Sequence, residues 1–380
     1  MNVPKLRFGE FEGEWLPSVI GDLGRIITGK TPSTSDESLW DGDVLFITPT
    51  DIKDEIKYQT QAQRTVHNSV KNILPVGSIL YTCIASIGKM CMTVKPSITN
   101  QQINTIIPNS NFNGEFVYYS LQQKSDFIKS TQANTTLPII NKTEFSKFQI
   151  AHPRHLSEQQ KIADFLSAVD DKITALTAQK TALTQYKQGM MQRIFSQTLR
   201  FKDDNGADYP EWEEMRLGDL LYYEQPTKYL VSSTDYQDDY PTPVLTAGKT
   251  FILGYTDEQD GIFTNLPVII FDDFTTANKF VNFPFKAKSS AMKMLKNDPK
   301  KSDLRFIYET MQLLDFATGD EHKRYWISEY QEQFIFVPCL EEQTKIAQFL
   351  TELDDKINAV DTQIQSAQQW KQGLLQQMFV

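Results

Sequence analysis

An internal repeat is the feature that most constrains what this chain can fold into. Residues 158–195 and 342–379 align at a constant offset of 184 positions, and 19 of the 38 aligned residues are identical. A shorter repeat pairs residues 14–23 (EWLPSVIGDL) with residues 211–220 (EWEEMRLGDL). Self-similarity of this kind is typical of a duplicated structural unit. We therefore expect two copies of one framework, each made of a short leading motif, a block and a long helix.

The two blocks between the repeated motifs differ from each other. Residues 24–150 and 221–335 show no similarity comparable to that of the flanking repeats. A duplicated framework that carries two unlike inserts suggests a division of labour. The framework would fix the geometry, and the inserts would set a specificity.

The repeated segment has the pattern of a coiled-coil helix. Its apolar positions alternate by four and three residues for more than four heptads, without proline. Such a helix is about 50 Å long at ~1.5 Å per residue. The predicted seam residues are Ile162, Leu166, Val169, Ile173, Leu176 and Leu183 in the first copy and Ile346, Leu350, Leu353, Ile357, Val360 and Ile364 in the second.

A helix with an exposed apolar seam needs a partner. Two similar seams in one chain most simply pair with each other, and an antiparallel pair would place the two blocks at opposite ends. The alternative is that each helix packs on its own block, although a strict seam is narrower than the apolar face of a globular helix.

Charge and composition limit the class of protein. The 380 residues suggest two or three domains. The net charge is −10, which equals the net charge of residues 201–340 alone. An acidic chain is a poor nucleic-acid binder by itself, because phosphate attraction dominates such binding. The absence of a signal-peptide pattern, of a long apolar run and of a cysteine framework predicts a cytoplasmic protein.

One local segment is basic although the chain as a whole is acidic. Residues 279–305 hold eight lysines and arginines against two aspartates. The cluster is either a binding surface or an ordinary solvated face. Its basic members are Lys279, Lys286, Lys288, Lys293, Lys296, Lys300, Lys301 and Arg305.

Both blocks have the pattern of mixed strands and helices, which predicts an α+β fold. Residues 79–94 form two β-rich arms around residues 86–89, a hairpin signal. Residues 267–274 are typical of a short buried strand, and residues 116–128 and 306–316 have helical spacing.

A nucleotide-binding pattern is present but lacks its usual context. Residues 24–31 (GRIITGKT) satisfy GxxxxGK[ST], and residues 268–272 (VIIFD) resemble a magnesium-holding strand end. That loop should follow a buried strand and open a helix, whereas a weak strand precedes it and no apolar-periodic helix follows. Nucleotide hydrolysis is therefore a weak alternative, and we expect neither catalytic residues nor a metal site.

The chain resembles the DNA-specificity subunit of type I restriction–modification systems along its whole length. The resemblance rests on the paired EQxKIAxFLxxxDDKI…KQG helices, the EW…GDL motifs, GKTPS (residues 29–33), and the stretch 74–102, whose end lies in TNQQI. VIIFDDFTT (residues 268–276) and KSSAMKML (residues 288–295) add to it.

The resemblance implies an α+β fold with two target recognition domains separated by a long antiparallel two-helix coiled coil, in a pseudo-twofold repeat. The implied domains are residues 1–155, the helix 156–197, residues 198–340 and the helix 341–380. Each recognition domain would read one half of a split site on double-stranded DNA, and the helices would set the gap. A subunit that only assembles partners, without reading sequence, is the rival interpretation.

The resemblance also implies that this chain is not an enzyme and binds no cofactor itself. Two modification subunits would bind S-adenosylmethionine and methylate adenine, and restriction subunits, where present, would use ATP and Mg²⁺.

Candidate DNA contacts are polar and basic residues on the predicted loops, since glutamine can pair with adenine and lysine with guanine or phosphate. In the first block they are Lys30, Ser33, Thr34, Ser86, Lys89, Gln101, Gln102, Thr135 and Thr136. In the second block they are Lys249, Thr275, Thr276, Lys279, Ser289, Ser290, Lys293, Lys323, Arg324 and Tyr325.

Overall fold

A computed structural model describes residues 2–53, 56–132, 138–246, 248, 250–314 and 325–380. The chain divides into two compact units: unit 1 is residues 1–178 with 361–380, and unit 2 is residues 179–360. Each unit contains one block together with part of each repeated helix.

The first half of the chain alternates short strands with helices. Its strands are β1 (Leu16–Val19), β2 (Gly24–Thr28), β3 (Trp40–Ile47), β4 (Tyr58–Gln59), β5 (Arg64–Val66), β6 (Ile79–Thr82), β7 (Met90–Thr93), β8 (Ser97–Thr99), β9 (Ile103–Pro108) and β10 (Gln149–His152). Its helices are α1 (Ile20–Leu23), α2 (Gly114–Ser130), α3 (Lys142–Lys147) and α4 (Leu156–Phe195), with a 3-10 turn at Glu37–Leu39.

The second half repeats this alternation. Its strands are β11 (Glu213–Arg216), β12 (Leu221–Glu224), β13 (Thr242–Leu245), β14 (Ile252–Thr256), β15 (Val268–Asp272), β16 (Asn278–Val281), β17 (Lys286–Ala287), β18 (Met292–Asn297) and β19 (Phe334–Val337). Its helices are α5 (Leu217–Leu220), α6 (Leu304–Met311), α7 (Tyr325–Ser328) and α8 (Leu340–Met378), with 3-10 turns at Pro226–Tyr229 and Tyr330–Glu332.

The main sheet of unit 1 has the strand order β2-β9-β6-β7-β4. The hairpin expected in residues 79–94 is confirmed, because β6 and β7 pair antiparallel with Tyr81 opposite Met90. A second sheet has the order β5-β3-β8, and β1 pairs with β10. Strand β6 is buried at all four residues, as expected for the middle of a covered sheet.

Unit 2 repeats the strand order of unit 1 although the block sequences differ. Its main sheet has the order β12-β18-β15-β16, which corresponds to β2-β9-β6-β7, and β11 pairs with β19 as β1 pairs with β10. A three-stranded sheet, β14-β13-β17, lies beside it in the same block. The two-domain α+β architecture is thus a duplicated fold, and not only a duplicated sequence motif.

The repeated segments form two unbroken helices of 40 and 39 residues, α4 and α8. Unit 1 contains the N-terminal part of α4 and the C-terminal end of α8, and unit 2 contains the remaining parts of both. All twelve predicted seam residues are buried or half-buried, with only Ile173, Leu183 and Ile357 in the second group. Their winding into a coiled coil stays a prediction.

Both expected ways of covering the helices occur together. In unit 1, Ile162 and Leu166 of α4 share a hydrophobic core with Phe116 of the block and with Leu374 and Met378 of α8. Unit 2 has the same arrangement, in which α4, α8 and the block contribute to one core. Pairing between the helices and packing on the block are therefore not alternatives in this fold.

A pair of equivalent salt bridges joins the two helices. Asp170 of α4 lies 2.7 Å from the ammonium of Lys371 in unit 1, and Asp354 of α8 lies 2.8 Å from that of Lys187 in unit 2. The two pairs are related by the 184-residue repeat. In each unit the helix parts come from opposite ends of α4 and α8, as antiparallel pairing requires.

A buried lysine connects the first block to α4. The Lys57 ammonium donates to the Glu115 carboxylate (2.9 Å), the Tyr119 hydroxyl (3.0 Å) and the Ser167 hydroxyl (2.7 Å). Burial lowers the pKa of Lys57, and the carboxylate opposes that effect. A lysine that is removed from water in this way must keep its partners, so the block is fixed against the helix.

A buried carboxylate anchors the leading segment of unit 1 to the start of α4. Glu158 is 1% exposed and accepts hydrogen bonds from Arg7 Nε (2.7 Å) and Trp15 Nε1 (3.2 Å). The next residue, Gln159, accepts the backbone N–H of Asn113, whose side chain caps α2. The EQ dipeptide therefore connects the leading motif, helix α2 of the block and the long helix α4.

The same anchor occurs in unit 2. Glu342 is fully buried and accepts hydrogen bonds from Arg200 Nη2 (2.8 Å) and Trp212 Nε1 (3.1 Å). Gln343 accepts the backbone N–H of Asp303, the residue that caps α6. The anchoring arginine belongs in each unit to an LRF sequence, which occurs at residues 6–8 and 199–201. The recurring LRF, EW and EQ motifs are thus parts of one structural device.

None of the helices described is both long and apolar enough to cross a membrane.

The anchor predicts a sharp difference between two adjacent glutamates. Glu342→Gln removes the charge that Arg200 and Trp212 share, and we expect the free energy of unfolding to fall by about 2 kcal/mol, because a buried ion pair is left incomplete. Glu341 is exposed, so Glu341→Gln should change stability by less than ~0.5 kcal/mol. Urea denaturation followed by circular dichroism measures both, and equal effects would contradict the role of the anchor.

Candidate DNA interface

Three loops leave the same end of the main sheet in unit 1. Strand β2 ends at Thr28, which pairs with Asn104 near the start of β9. Strand β6 ends at Thr82, which pairs with Ile103, and β7 starts at Met90 opposite Tyr81. Residues 29–34, 83–89 and 100–102 therefore meet at one edge of the sheet, and we call them the unit 1 loop cluster.

Two loops of the cluster contact each other through a glycine. Gly29 donates its N–H to the Ile103 carbonyl (3.0 Å), and a Cβ at Gly29 would lie 2.2 Å from the Asn100 carbonyl oxygen. The Thr31 hydroxyl donates to the Gln101 side-chain oxygen at 3.0 Å. The GKTPS and TNQQI motifs, about 70 residues apart in the sequence, thus form one surface.

The hairpin tip is held against the same surface. The backbone N–H of Cys83 donates to the Gln102 carbonyl (2.8 Å), and the Asn104 amide donates to the Cys83 sulfur (3.1 Å). The Thr82 hydroxyl accepts the backbone N–H of Lys89 at 2.9 Å. Burial raises the pKa of Cys83 to about 11, so this thiol stays protonated at neutral pH and supports the loop instead of reacting.

Seven of the nine candidates in the first block lie on the unit 1 loop cluster. Lys30, Ser33, Thr34 and Gln101 are exposed, and Ser86, Lys89 and Gln102 are half-buried. Thr135 and Thr136 lie outside the described residues. The sequence reasoning therefore selected residues that the fold brings together, and whether they contact DNA stays a prediction.

The nucleotide-binding pattern has no matching structure. The glycine of its first position, Gly24, begins β2, and the chain after Lys30 runs through turns to the single 3-10 turn at Glu37–Leu39. The Asp272 carboxylate at the end of β15 accepts the N–H groups of Phe274 (2.9 Å) and Thr275 (3.2 Å), so it shapes a turn. Among the described residues, no group of three or more His, Cys, Asp or Glu side chains is placed to hold a metal ion.

Unit 2 presents loops at the equivalent end of its main sheet. Strand β15 ends at Asp272, which pairs with Met292 at the start of β18, and Phe271 pairs with Asn278 at the start of β16. The loops 273–277 and 288–291 leave this end, and we call them the unit 2 loop cluster. The candidates on or next to it are Thr275, Lys279, Ser289 and Ser290, which are exposed, and Thr276, which is half-buried.

Two candidates of the second block lie in the interior, and their burial speaks against the expected contact with DNA. Lys293 is 3% exposed, with its ammonium 3.3 Å from the buried Asp273 carboxylate and 4.2 Å from the centre of the Tyr223 ring. Tyr325 is 2% exposed and donates its backbone N–H to the Asp273 carbonyl. Strand β18 is buried on both faces at Met292–Leu295, which alternation cannot reveal.

The basic cluster of residues 279–305 is not one surface. Lys286 is 3% exposed and paired with Glu258 at 2.8 Å, Lys296 is 8% exposed and donates to the Pro267 carbonyl, and Arg305 is bound by Glu309. Lys279, Lys300 and Lys301 are exposed and Lys288 is half-buried. Lys249, Lys323 and Arg324 lie outside the described residues.

Sequence reasoning missed cationic residues that the fold brings to the unit 1 loop cluster. Lys71 and Asn72 line the same depression as Gly29 and Lys30. Arg64 lies over the Trp40 ring, whose Nε1 donates to the Ser33 carbonyl at 3.0 Å. Beside Lys71, Asn72 adopts a left-handed φ of 63°, a conformation that asparagine tolerates in turns.

Comparisons with known proteins agree with this architecture. The family model for the type I restriction modification DNA specificity domain matches residues 12–185 and again residues 209–368. The chain is 51% identical over 165 residues to the Type I restriction enzyme EcoR124I/EcoR124II specificity subunit of Escherichia coli, an alignment that covers 41% of each chain. It is 32% identical over 232 residues to the MjaIX specificity subunit of Methanocaldococcus jannaschii, with 57% of this chain and 54% of that one covered.

These two alignments span about half or less of the relatives' own length. A solved S subunit of a type I restriction–modification system from M. genitalium has the same fold, with a TM-score of 0.69 at 16% identity over 100% of this chain and 99% of that one. Because the two matches to the family model cover most of the chain, it belongs to the family of type I restriction–modification DNA specificity proteins and carries the family domain twice.

Proposed function

We propose that the chain is the DNA-recognition subunit of a type I restriction–modification complex. Each block reads one half of a split site, and the two long helices set the gap between the halves. The observation that carries the proposal is the repeated strand order, which presents loops of unlike sequence at the same end of two equivalent sheets. A rigid scaffold with variable loops is a common solution for recognition.

The side chains of the loop clusters suit the reading of base edges. Gln101 and Lys30 are exposed on loops that backbone hydrogen bonds hold in place. An amide can pair with adenine, and an ammonium can bind guanine or phosphate. Preorganised donors and acceptors lose little entropy on binding, which favours discrimination between sequences.

Partner subunits complete the activity in this proposal. Two modification subunits bind S-adenosylmethionine and methylate adenine, restriction subunits use ATP and Mg²⁺, and the chain itself is not catalytic. Its net charge of −10 supports a shared clamp, because an acidic subunit gains little phosphate attraction alone. The complex would act in the cytoplasm, where the DNA is.

The long helices offer a surface for such partners. Tyr186 and Trp370 are equivalent residues of the repeat and are 51% and 54% exposed. Exposed aromatic residues favour contacts between proteins. A pure assembly scaffold would use the same surface but would bind every duplex equally, whereas a reading subunit discriminates.

Exchange of one block tests whether each block recognises its own half of the split DNA site. We expect that replacing residues 24–150 with the corresponding block of another family member changes one half of the methylated motif and leaves the other half and the gap unchanged. Replacing residues 221–335 should alter the other half. Genome-wide mapping of methylated adenine gives the motif, and a change in both halves after either exchange would refute the modular account.

Lengthening the helices tests whether they set the gap. Four residues inserted after residue 178 of α4 and four after residue 360 of α8 add about 6 Å of helix, or roughly two base-pair steps of ~3.4 Å. We expect the gap to lengthen by that amount while both half-sites persist. The same insertion in α4 alone is the control, since it shifts the helices out of register. An unaltered gap in the double insertion would show that the length of the helices does not set the gap.

Substitution of the buried Lys293 tests whether this residue supports the fold or contacts a phosphate of the DNA. Lys293→Met leaves the Asp273 carboxylate without this cation, and we expect a loss of about 2 to 3 kcal/mol of stability with an unchanged salt dependence of DNA binding. Lys279→Met removes an exposed charge next to the loop 273–277 and should lower the salt slope by about 0.9 if Lys279 binds phosphate. A lowered slope for the Lys293 variant would mean that its ammonium reaches the DNA after all.

A further inference from the structure

A stacked arginine lies beside the unit 1 loop cluster. The Arg64 guanidinium carbon is 3.5 Å from the centre of the Trp40 ring, Arg64 is exposed, and Trp40 is 4% exposed. Phe46 packs edge-on against the same ring with centroids 5.2 Å apart. Stacking holds a guanidinium flat on an aromatic face and leaves its N–H edge open.

Two connections place Arg64 at the same edge as the unit 1 loop cluster. The Trp40 indole donates to the Ser33 carbonyl, so one ring supports both the arginine and the GKTPS loop. Arg64 also pairs with Phe46 near the end of β3, and β3 runs parallel to β8, which leads directly into residues 100–102. The guanidinium therefore belongs to the same edge as the loop cluster, although no local motif marks it.

The charges around Arg64 leave it available for an anion. In the part of the chain that the structure describes, the guanidinium makes no ion pair and no side-chain hydrogen bond. The neighbouring Asp51 carboxylate is occupied by the N–H groups of Thr48 (2.8 Å) and Gln63 (2.9 Å). Lys30 and Lys71, from two distant segments, line one depression together with Ile98 and Thr99 of β8, the strand that leads into residues 100–102.

We infer that Arg64 is a DNA-binding residue of the first block. Its planar set of donors fits the O6 and N7 atoms of guanine, or two oxygens of a phosphate, and both are found on the DNA duplex. The inference rests on the proposed function and adds a specific residue to it. A lysine in the same place would carry the charge without the planar fork.

A competing explanation is that Arg64 only shields Trp40 from water. Long basic side chains often cover apolar surface in this way. In that case its replacement by methionine would preserve the cover and leave DNA binding unchanged. The two explanations therefore differ in DNA affinity and not in stability.

The test uses the full-length chain assembled with its methyltransferase subunits. Fluorescence anisotropy measures the affinity for a duplex with the mapped split site and for an equally long duplex without it, at several salt concentrations. The variants are Arg64→Met and Arg64→Lys. Arg25→Met is the matched control, because Arg25 is an exposed arginine of the same block that pairs with Ile107, toward the other end of the sheet.

We expect Arg64→Met to weaken binding to the specific duplex about tenfold, which is roughly 1.4 kcal/mol, while Arg25→Met binds like the wild type. With a guanine contact, Arg64→Lys stays weak and the loss is confined to the specific duplex. With a phosphate contact, Arg64→Lys recovers most of the affinity, and the salt slope of Arg64→Met falls by about 0.9 on both duplexes.

Equal affinities of Arg64→Met and the wild type at every salt concentration would overturn the inference and leave the proposed function intact. Equal binding of both duplexes by the wild-type complex would instead refute the proposed function, and the inference with it. Thermal unfolding followed by circular dichroism shows whether the variants keep their fold. If Arg64→Met does not fold, the DNA affinity of Arg64→Lys provides the second test.

Discussion

A buried carboxylate at the start of each long helix is the interaction on which the rest of the structure depends. Glu158 and Glu342 lie in the interior, where an unpaired charge would cost several kcal/mol. Each is therefore tied to an arginine and a tryptophan that precede the block by sequence and meet the helix in space. The glutamine that follows each carboxylate extends the connection to the capping residue of a helix in the block. The framework is thus fixed by a few charged and polar groups, and it can be duplicated as a set.

Such a framework leaves the loops free to change. Four strands of the main sheets follow the same order in both units, while the two loop clusters show no comparable sequence similarity. The close approach at Gly29 and the hydrogen bond from Cys83 to Gln102 hold the unit 1 loops without fixing the exposed side chains. In the proposed function, specificity and stability would therefore rest on different residues, so that relatives could differ in their loops and keep the framework.

The sequence was sufficient for the features that repeat or alternate. Periodicity predicted both long helices, and the two β-rich arms of residues 79–94 predicted the hairpin formed by β6 and β7. The loop candidates around Lys30 and Gln101 were found because polar residues follow strands. Counting charges failed for Lys286, Lys293 and Lys296, because their partners or carbonyl acceptors come from residues 20 to 31 positions away on neighbouring elements. Arg64 was missed for the same reason, since its position depends on a tryptophan 24 residues earlier.

The most direct test of the account is a comparison of adenine methylation across the genome with and without the gene for this chain, with its partner subunits present in both strains. The account predicts a methylated motif made of two short halves separated by a gap of fixed length, and the loss of that motif when the chain is absent. An unchanged methylation pattern, or a dependent motif that is short and continuous, would contradict the idea that two unlike domains on one framework read a split site.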